Sequence, residues 1–162
     1  MEEIQMTTTE KLVSTWDACF DKESGWFPPL ERALQGLTAV QACWRMDGKE
    51  MNTIKELVNH ILFYKSQLLS SLTGSTDAPS TDTSFDAGTR VIREEEWQET
   101  VEKLKHIHTS IREKLSALSD QDLLSELDGV TIDQSVSNLV LHDIYHTGQI
   151  IFIRRMQGSW SV

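Results

Sequence analysis

The sequence has few cysteines and few basic residues, and it has no long apolar segment. Its two cysteines, Cys19 and Cys43, do not form a CxxC motif, and in a reducing compartment we expect them to be small core or boundary residues. The chain has 15 Lys and Arg against 25 Asp and Glu, a formal net charge of −10. Such a surface repels phosphate backbones and anionic lipids, so we expect neither nucleic acid nor a membrane as a partner.

No apolar run approaches the roughly 20 residues that a membrane-spanning helix needs. The first five residues, MEEIQ, are acidic and lack the basic-then-apolar order of a signal peptide. A cytoplasmic location is therefore the expectation. The length of 162 residues fits one domain over residues 1–162 with a single sizeable core.

Apolar residues recur at helical spacing in four long segments: residues 9–20, 53–72, 93–118 and 132–157. Capping boxes, in which Thr is followed three residues later by Glu or Gln, mark several helix starts. These pairs are Thr7 with Glu10, Thr38 with Gln41, Thr53 with Glu56, and Thr131 with Gln134.

Short helices are predicted between the long ones. The pair Pro28–Pro29 opens one, the pair Thr38 and Gln41 opens another that ends near Gly48, and a third begins at Ser119 and continues through Leu127. The dipeptide after Leu127, Asp-Gly, ends that third helix, and no strand is predicted anywhere. Together these segments predict an all-α four-helix bundle.

Residues 73–89 are rich in Gly, Ser, Thr and Asp, contain Pro79, and show no apolar period. This connection between the second and third long helices is too long for a simple hairpin. It predicts a crossover across the end of the bundle. Its one large apolar residue, Phe85, is expected to anchor it to the core.

The last long helix is apolar around most of its circumference rather than along one stripe. Such a helix is buried on more than one side. We expect one side to face the bundle and the other to face a short element or a second subunit, which predicts a homodimer through this helix.

That same helix carries His142 and His146, four residues apart and therefore on one face. Two imidazoles on one face can bind one transition metal. The spacing is weak evidence, because two hydrogen-bonded polar residues at a bundle edge would look the same. The segment is not an HExxH motif, since Asp143 and Ile144 follow the first histidine.

A third ligand is predicted in His60, on the flank of the second long helix. The alternative to a ligand role is that His60 only forms a hydrogen bond to water or to a backbone carbonyl. His108 is a weaker rival, because it lies in an apolar seam, and it cannot chelate together with His106, two residues away on a helix. Three imidazoles leave coordination positions open for water or substrate, which suits Zn, Ni, Fe or Mn and is typical of a catalytic site.

At these residues the chain resembles the DinB-like superfamily. The resemblance covers nearly the whole chain and depends on an ordered set of segments. They are SGWF at 24–27, LQGLT at 34–38, ELVNHI at 56–61, Trp97, and HDIYHTGQI at 142–150.

The resemblance implies a four-helix bundle with a long crossover between helices 2 and 3, often dimeric. It also implies a divalent metal, nickel or zinc with iron or manganese as alternatives, held by His60, His142 and His146. Related subfamilies include bacillithiol S-transferases and a mycothiol-dependent maleylpyruvate isomerase, in which the metal activates a low-molecular-weight thiol.

We therefore expect a metal-dependent enzyme that transfers a low-molecular-weight, bacillithiol-like thiol to an electrophile in stress or detoxification. Trp26, Tyr64 and Gln149 are candidates for the wall of its pocket, and packing or capping is the alternative for each. One rival hypothesis is a non-enzymatic metal-binding or stress-response dimer. Another is a helical interaction module without metal. The sequence identifies neither the catalytic residue nor the substrate.

Overall fold

The computed structural model describes residues 5–47, 50–85 and 90–160. Within them, nearly all regular structure is helical, which confirms the predicted all-α fold. The elements in chain order are α1 (Thr8–Phe20), α2 (Leu30–Leu34), α3 (Ala39–Ala42), α4 (Ile54–Thr73), α5 (Glu94–Ser116), a 3₁₀ turn (Asp122–Leu124), β1 (Glu126–Leu127), β2 (Val130–Thr131) and α6 (Ile132–Met156).

Capping explains where most of these helices begin. The predicted capping boxes at Thr7, Thr38 and Thr53 are all formed, with the Thr side chain and the Glu or Gln three residues later satisfying each other's backbone N–H. Helix α3 already ends at Ala42, earlier than expected, and the predicted end at Gly48 lies outside the described residues. At the other end of the chain Gly158 takes φ +68°, as expected of a residue that terminates a helix.

The four long helices form a bundle in which α1 and α4 each pack against both α5 and α6. Hydrogen bonds from α1 to the α5 region join Thr9 to Asp120 and Trp16 to His108, so α1 and α5 run antiparallel. The centre of the bundle is apolar and includes the completely buried Trp16.

The connection after α4 returns along that helix to the start of α5, and it is the long crossover predicted between the second and third long helices. Gln67 donates to the carbonyl of Pro79, and Lys55, near the start of α4, donates to the carbonyl of Arg90 at 3.2 Å. Helices α4 and α5 are thus parallel neighbours, and parallel neighbours need a connection as long as the helix. Its last predicted residue, Thr89, lies outside the described residues.

Two predictions around residues 119–134 are wrong. The expected helix through Leu127 is only a 3₁₀ turn, and Asp128 and Gly129, with φ of 52° and 81°, form the tight turn of a hairpin between β1 and β2. The expected capping box at the start of α6 is also absent. Thr131 donates instead to Asp133, whose carboxylate accepts the N–H of Gln134.

Helix α6 is covered by α1, α2, α4, the 3₁₀ turn and the hairpin, so its wide apolar surface is largely explained within one chain. A strip on its remaining side stays uncovered, where Leu141, Tyr145 and Phe152 are 67, 64 and 62% exposed. None of the described helices is long and apolar enough to cross a bilayer.

Candidate metal centre

The structure brings His60, His142 and His146 together between α4 and α6. Because these two helices run antiparallel, the middle of α4 faces the middle of α6. The Nε2 atom of His142 lies 3.0 Å from Nε2 of His60 and 3.2 Å from Nε2 of His146. The same three side chains had been predicted as ligands, and their three Nε2 atoms converge on one point.

Hydrogen bonds on the far side of two rings determine which nitrogen carries the proton. Nδ1 of His60 lies 2.5 Å from a carboxylate oxygen of Asp82, and Nδ1 of His146 lies 2.6 Å from the amide oxygen of Gln149. Both oxygens are acceptors, so each Nδ1 is the donor. In the neutral rings, Nε2 of His60 and of His146 is then an unprotonated acceptor.

A proton on Nε2 of His142 points toward only one of these two acceptors at a time, whereas a cation between the rings would be bound by all three nitrogens. With metal–nitrogen bonds of about 2.0–2.1 Å, ligand nitrogens lie about 3.3 Å apart in tetrahedral geometry and about 2.9 Å apart on one face of an octahedron. The observed spacings of 3.0 and 3.2 Å fall between these values. The donor set therefore fits a divalent transition metal held by three imidazoles, with further positions open.

The three rings are accessible without being fully exposed. The side chains of His60 and His142 are 14 and 24% exposed, and His146 is buried. Burial lowers the pKa of His146 because it penalises the charged imidazolium. A neutral ring is the form that binds a metal.

Two of the three predicted pocket residues lie against this cluster. The ring of Tyr64 meets those of His60 and His142 edge-on, with centroids 4.9 and 5.0 Å apart. Gln149 holds His146 through its oxygen and donates from Nε2 to the hydroxyl of Tyr145 at 3.2 Å.

The third pocket candidate, Trp26, has no comparable place at the cluster. It lies between α1 and α2 and is 91% exposed, so it has almost no packing partner. Its role in the pocket stays a prediction that no observed contact supports.

Asp82, which supports His60 from the long connection, was not identified from the sequence. Asp82 accepts Nδ1–H of His60, and the ring of Phe85 lies 4.9 Å from the His60 ring. Phe85 therefore anchors the connection at the candidate site, where it is 42% exposed, and not on the apolar core as expected. A carboxylate in a segment rich in Gly, Ser, Thr and Asp has no periodic pattern that could have revealed this contact.

Directly behind the cluster lies a completely buried ion pair. Nζ of Lys65 is 2.6 Å from a carboxylate oxygen of Asp143, and neither side chain is exposed. The other carboxylate oxygen lies 3.6 Å from Nδ1 of His142, the ring whose Nδ1 has no hydrogen-bond partner among the described residues. The ion pair thus connects the bundle core to one of the three histidines.

The rival ligand His108 belongs to that core and not to the cluster. Its ring is stacked between Trp16 and Phe20, with centroids 4.7 and 4.1 Å away, and its Nδ1 lies 3.3 Å from Nζ of Lys65. Burial, with the nearby charges of Lys65 and Arg112, lowers the pKa of His108 to about 2.

His108 also lies near Asp17 and Asp21, which makes a second group of potential ligand atoms. Three cations already occupy that group, because Arg112 and Lys22 donate to Asp17 at 2.7 and 2.5 Å and Lys65 donates to His108. We therefore assign no metal there.

Two cavities flank the three-histidine cluster. The smaller, of about 440 Å³, reaches His142 and Tyr64; we call it the His142 cavity. None of its lining residues is Lys or Arg, and its polar groups are amides, hydroxyls and one carboxylate, from Gln67, Ser71, Ser135, Asn138 and Asp128. The larger, of about 940 Å³, begins at Gln149 and is mostly apolar; we call it the Gln149 cavity.

Comparison with known protein families matched the DinB superfamily over residues 29–150. The matched region includes α2 to α5 and most of α6, and therefore all three histidines of the cluster. No curated protein and no solved structure matched the chain.

Proposed function

The chain belongs to the DinB superfamily, and we propose that it is a metal-dependent enzyme whose His60, His142 and His146 hold a divalent transition metal, with zinc or nickel first and iron or manganese as alternatives. The observation that carries the proposal is the convergence of three Nε2 atoms at spacings of 3.0 and 3.2 Å. Two of the three rings are held by Nδ1 bonds in the tautomer that a metal requires.

We propose thiol transfer to an electrophile, in cytoplasmic detoxification or stress response, as the reaction class. When bound by these three histidines, a divalent metal would supply Lewis-acid chemistry and would favour the thiolate form of a thiol near neutral pH. The chain's own residues would bind and orient the two reactants. Tyr64 lines the His142 cavity and Gln149 lines the Gln149 cavity, so each of them contacts one of the two proposed reactant sites.

The linings of the cavities favour one assignment of the reactants. The His142 cavity offers amides and hydroxyls without a cation, which suits a thiol with an uncharged, hydrogen-bonding body. In the Gln149 cavity the guanidinium of Arg45 is occupied by both carboxylate oxygens of Glu56, at 2.7 and 2.9 Å. That cavity suits an apolar electrophile.

Metal content tests the first part of the proposal. Protein purified without a histidine tag should contain about one Zn, Ni, Fe or Mn per chain by elemental mass spectrometry. His142→Ala should lose that metal while the far-ultraviolet circular dichroism spectrum stays helical. The matched control is His106→Ala, which removes an exposed histidine of α5 and should retain the metal. About one metal ion per chain in His142→Ala would refute the assignment of His142 as a ligand.

Cobalt substitution tests the second part. Adding the neutral thiol 1-thioglycerol should change the visible spectrum of the cobalt protein at lower concentration than the anionic mercaptosuccinate. No change with either thiol would favour the second candidate, a non-enzymatic metal-binding dimer of the same family. That candidate also predicts metal, so only the response to thiol separates the two.

We also propose that two chains associate through the uncovered strip of α6. Leu141, Tyr145 and Phe152 recur along one side of that helix and are each exposed in the single chain. Contiguous apolar surface of this kind marks interaction sites. Light scattering should give twice the chain mass for the wild type and a single chain mass for Phe152→Lys. A monomeric wild type would contradict this proposal and leave the metal assignment intact.

A further inference from the structure

The long connection between α4 and α5 reaches back to the candidate metal centre through one carboxylate. Asp82 lies 22 positions after His60, and its Oδ2 atom accepts Nδ1–H of that ring at 2.5 Å. Both side chains are largely buried, 19 and 14% exposed. A short hydrogen bond to a charged acceptor in such surroundings is stronger than one between neutral groups in water.

We propose that Asp82 is a positioning residue for the metal. It holds the proton of His60 on Nδ1, leaves Nε2 as the ligand atom, and fixes the plane of the ring toward His142 and His146. The inference rests on the proposed metal site and adds a residue to it from a segment that carries no ligand. Outer carboxylates of this kind raise the basicity of a ligand histidine and fix its orientation.

The three histidines differ in how they are held, which is why Asp82 matters most for His60. His146 is held by Gln149, three residues later on the same helix. His142 is followed directly by Asp143, whose carboxylate is 3.6 Å away. Asp143 is too far from His142 for a hydrogen bond, and the regular backbone of α6 fixes the positions of both Gln149 and Asp143. The partner of His60 comes from the connection, so its position depends on how that connection is fastened.

The connection is fastened close to the carboxylate. Oδ1 of Asp82 accepts the backbone N–H of Ser84 at 2.9 Å, and Ser84 is buried. The ring of Phe85 packs against His60, and the carbonyl of Pro79 accepts from Gln67 of α4. The carboxylate therefore has one oxygen on its own loop and the other on the ligand ring. These two hydrogen bonds hold the Asp82 carboxylate in place between its own loop and the His60 ring.

Zinc affinity of the whole protein tests the inference, measured by competition with a chromophoric chelator. Asp82→Ala should bind zinc about 10- to 100-fold more weakly than wild type, the usual cost of removing an outer-shell partner. Asp82→Asn keeps an acceptor oxygen without the charge and should lie between the two. The matched control is Asp77→Ala, from the same connection, whose carboxylate accepts from Ser75 and should leave zinc affinity unchanged.

A second measurement reads the ring itself and needs no metal. In the metal-free protein at about pH 8, above the ordinary histidine pKa of about 6.5, nitrogen-15 correlation spectra should show His60 protonated on Nδ1. In Asp82→Ala the same ring should shift toward the other tautomer or a mixture. A loop residue with a merely structural role would leave the tautomer unchanged.

The two readouts keep the possible failures apart. Equal zinc affinity in Asp82→Ala and wild type, with a folded variant, would overturn the inference and leave the proposed metal site standing. A wild type that binds no zinc, nickel, iron or manganese would overturn the proposed function. The tautomer measurement would still decide whether Asp82 orients His60, and an unchanged His60 tautomer in Asp82→Ala would overturn that as well.

Discussion

Breaking the buried ion pair behind the histidines should destabilise the bundle more than any surface change of equal size. We choose Lys65→Met, which keeps most of the side-chain volume and removes the ammonium. In the structure that ammonium lies 2.6 Å from Asp143 and 3.9 Å above the centre of the Trp16 ring. Its removal leaves the Asp143 carboxylate without a cation at zero exposure.

The magnitude follows from the burial of both partners. Removing one member of a buried pair costs about 3–5 kcal/mol, because the remaining charge is uncompensated. A desolvated ammonium over an aromatic face contributes about 2 kcal/mol, and that contribution falls within the same total. Against a typical stability of about 5–15 kcal/mol, the loss takes a large share. Removing both charges with Lys65→Met and Asp143→Leu should recover most of it or exceed the wild type.

The assay is urea unfolding of metal-free protein in chelator, so that the histidines do not contribute through bound metal. The control is Lys22→Met, because Lys22 also pairs with a buried carboxylate, Asp17, but is itself 61% exposed. It should cost less than about 1 kcal/mol. The reasoning fails if Lys65→Met costs no more than this control, or if the double variant is less stable than Lys65→Met alone.

Three further changes have expected outcomes that depend on single environments. His108 titrates at about 2 in the folded chain against 6.5 ordinarily, so below about pH 6 only the unfolded chain takes up its proton. Through this group, the free energy of unfolding should therefore fall by about 1.4 kcal/mol for each unit by which pH is lowered. When the free energy of unfolding is measured by urea between pH 6 and 4, it should depend less steeply on pH in His108→Gln than in wild type. Hydrogen bonds from the backbone N–H groups of Thr9 and Thr8 lower the pKa of Asp120 to about 2. The ionised Asp120 should stabilise the folded chain fully above the ordinary carboxyl pKa of 3.8, and this stabilisation should disappear as pH falls through about 2. The melting temperatures of Asp120→Ala and wild type should therefore converge in acid. A difference that stays constant with pH would contradict this. Burial raises the pKa of the Cys19 thiol to about 12, whereas Cys43 is only partly buried. A thiol reagent should label Cys43 alone in the native protein and both in denaturant; native labelling of Cys19 would show that its surroundings open.

The helices were predictable because the residues that cap a helix and the residues that form its apolar face lie close together in the sequence. Thr7, Thr38 and Thr53 each have a Glu or Gln three residues later, and all three pairs form as expected. The same spacing failed at Thr131, because Asp133 competes for its hydroxyl and caps the backbone from a closer position. Capping spacing alone does not reveal a second acidic residue that takes over the bond.

The hairpin was missed although its signal was present. Asp128 and Gly129 were read as a helix stop, whereas both residues adopt positive φ and join two short strands. A helix end and a hairpin turn use the same residue types. Only the neighbouring segments decide between them, and strands of two residues are too short to show an alternating apolar pattern.

The convergence of the three histidines was predictable from spacing and resemblance, and their role as ligands stays a prediction. Their surroundings were not predictable, because Asp82 comes from a segment without periodicity and Lys65 resembles an ordinary exposed lysine of an amphipathic helix. Burial of Lys65 depends on Asp143 of another helix, 78 positions away. Contacts between charged residues at that separation leave no local pattern.

The adjacent residues His142 and Asp143 show how one helix serves both the candidate site and the core. Neighbouring positions on a helix point about 100° apart, so the ring turns toward the site while the next side chain turns inward. There the carboxylate meets Lys65, whose ammonium lies over Trp16. A shift of α6 that moved the histidine would also pull one charge of a buried pair away from the other. The position of His142 is therefore fixed by the same interaction that stabilises the bundle, and Lys65→Met should disturb both that position and the stability of the bundle.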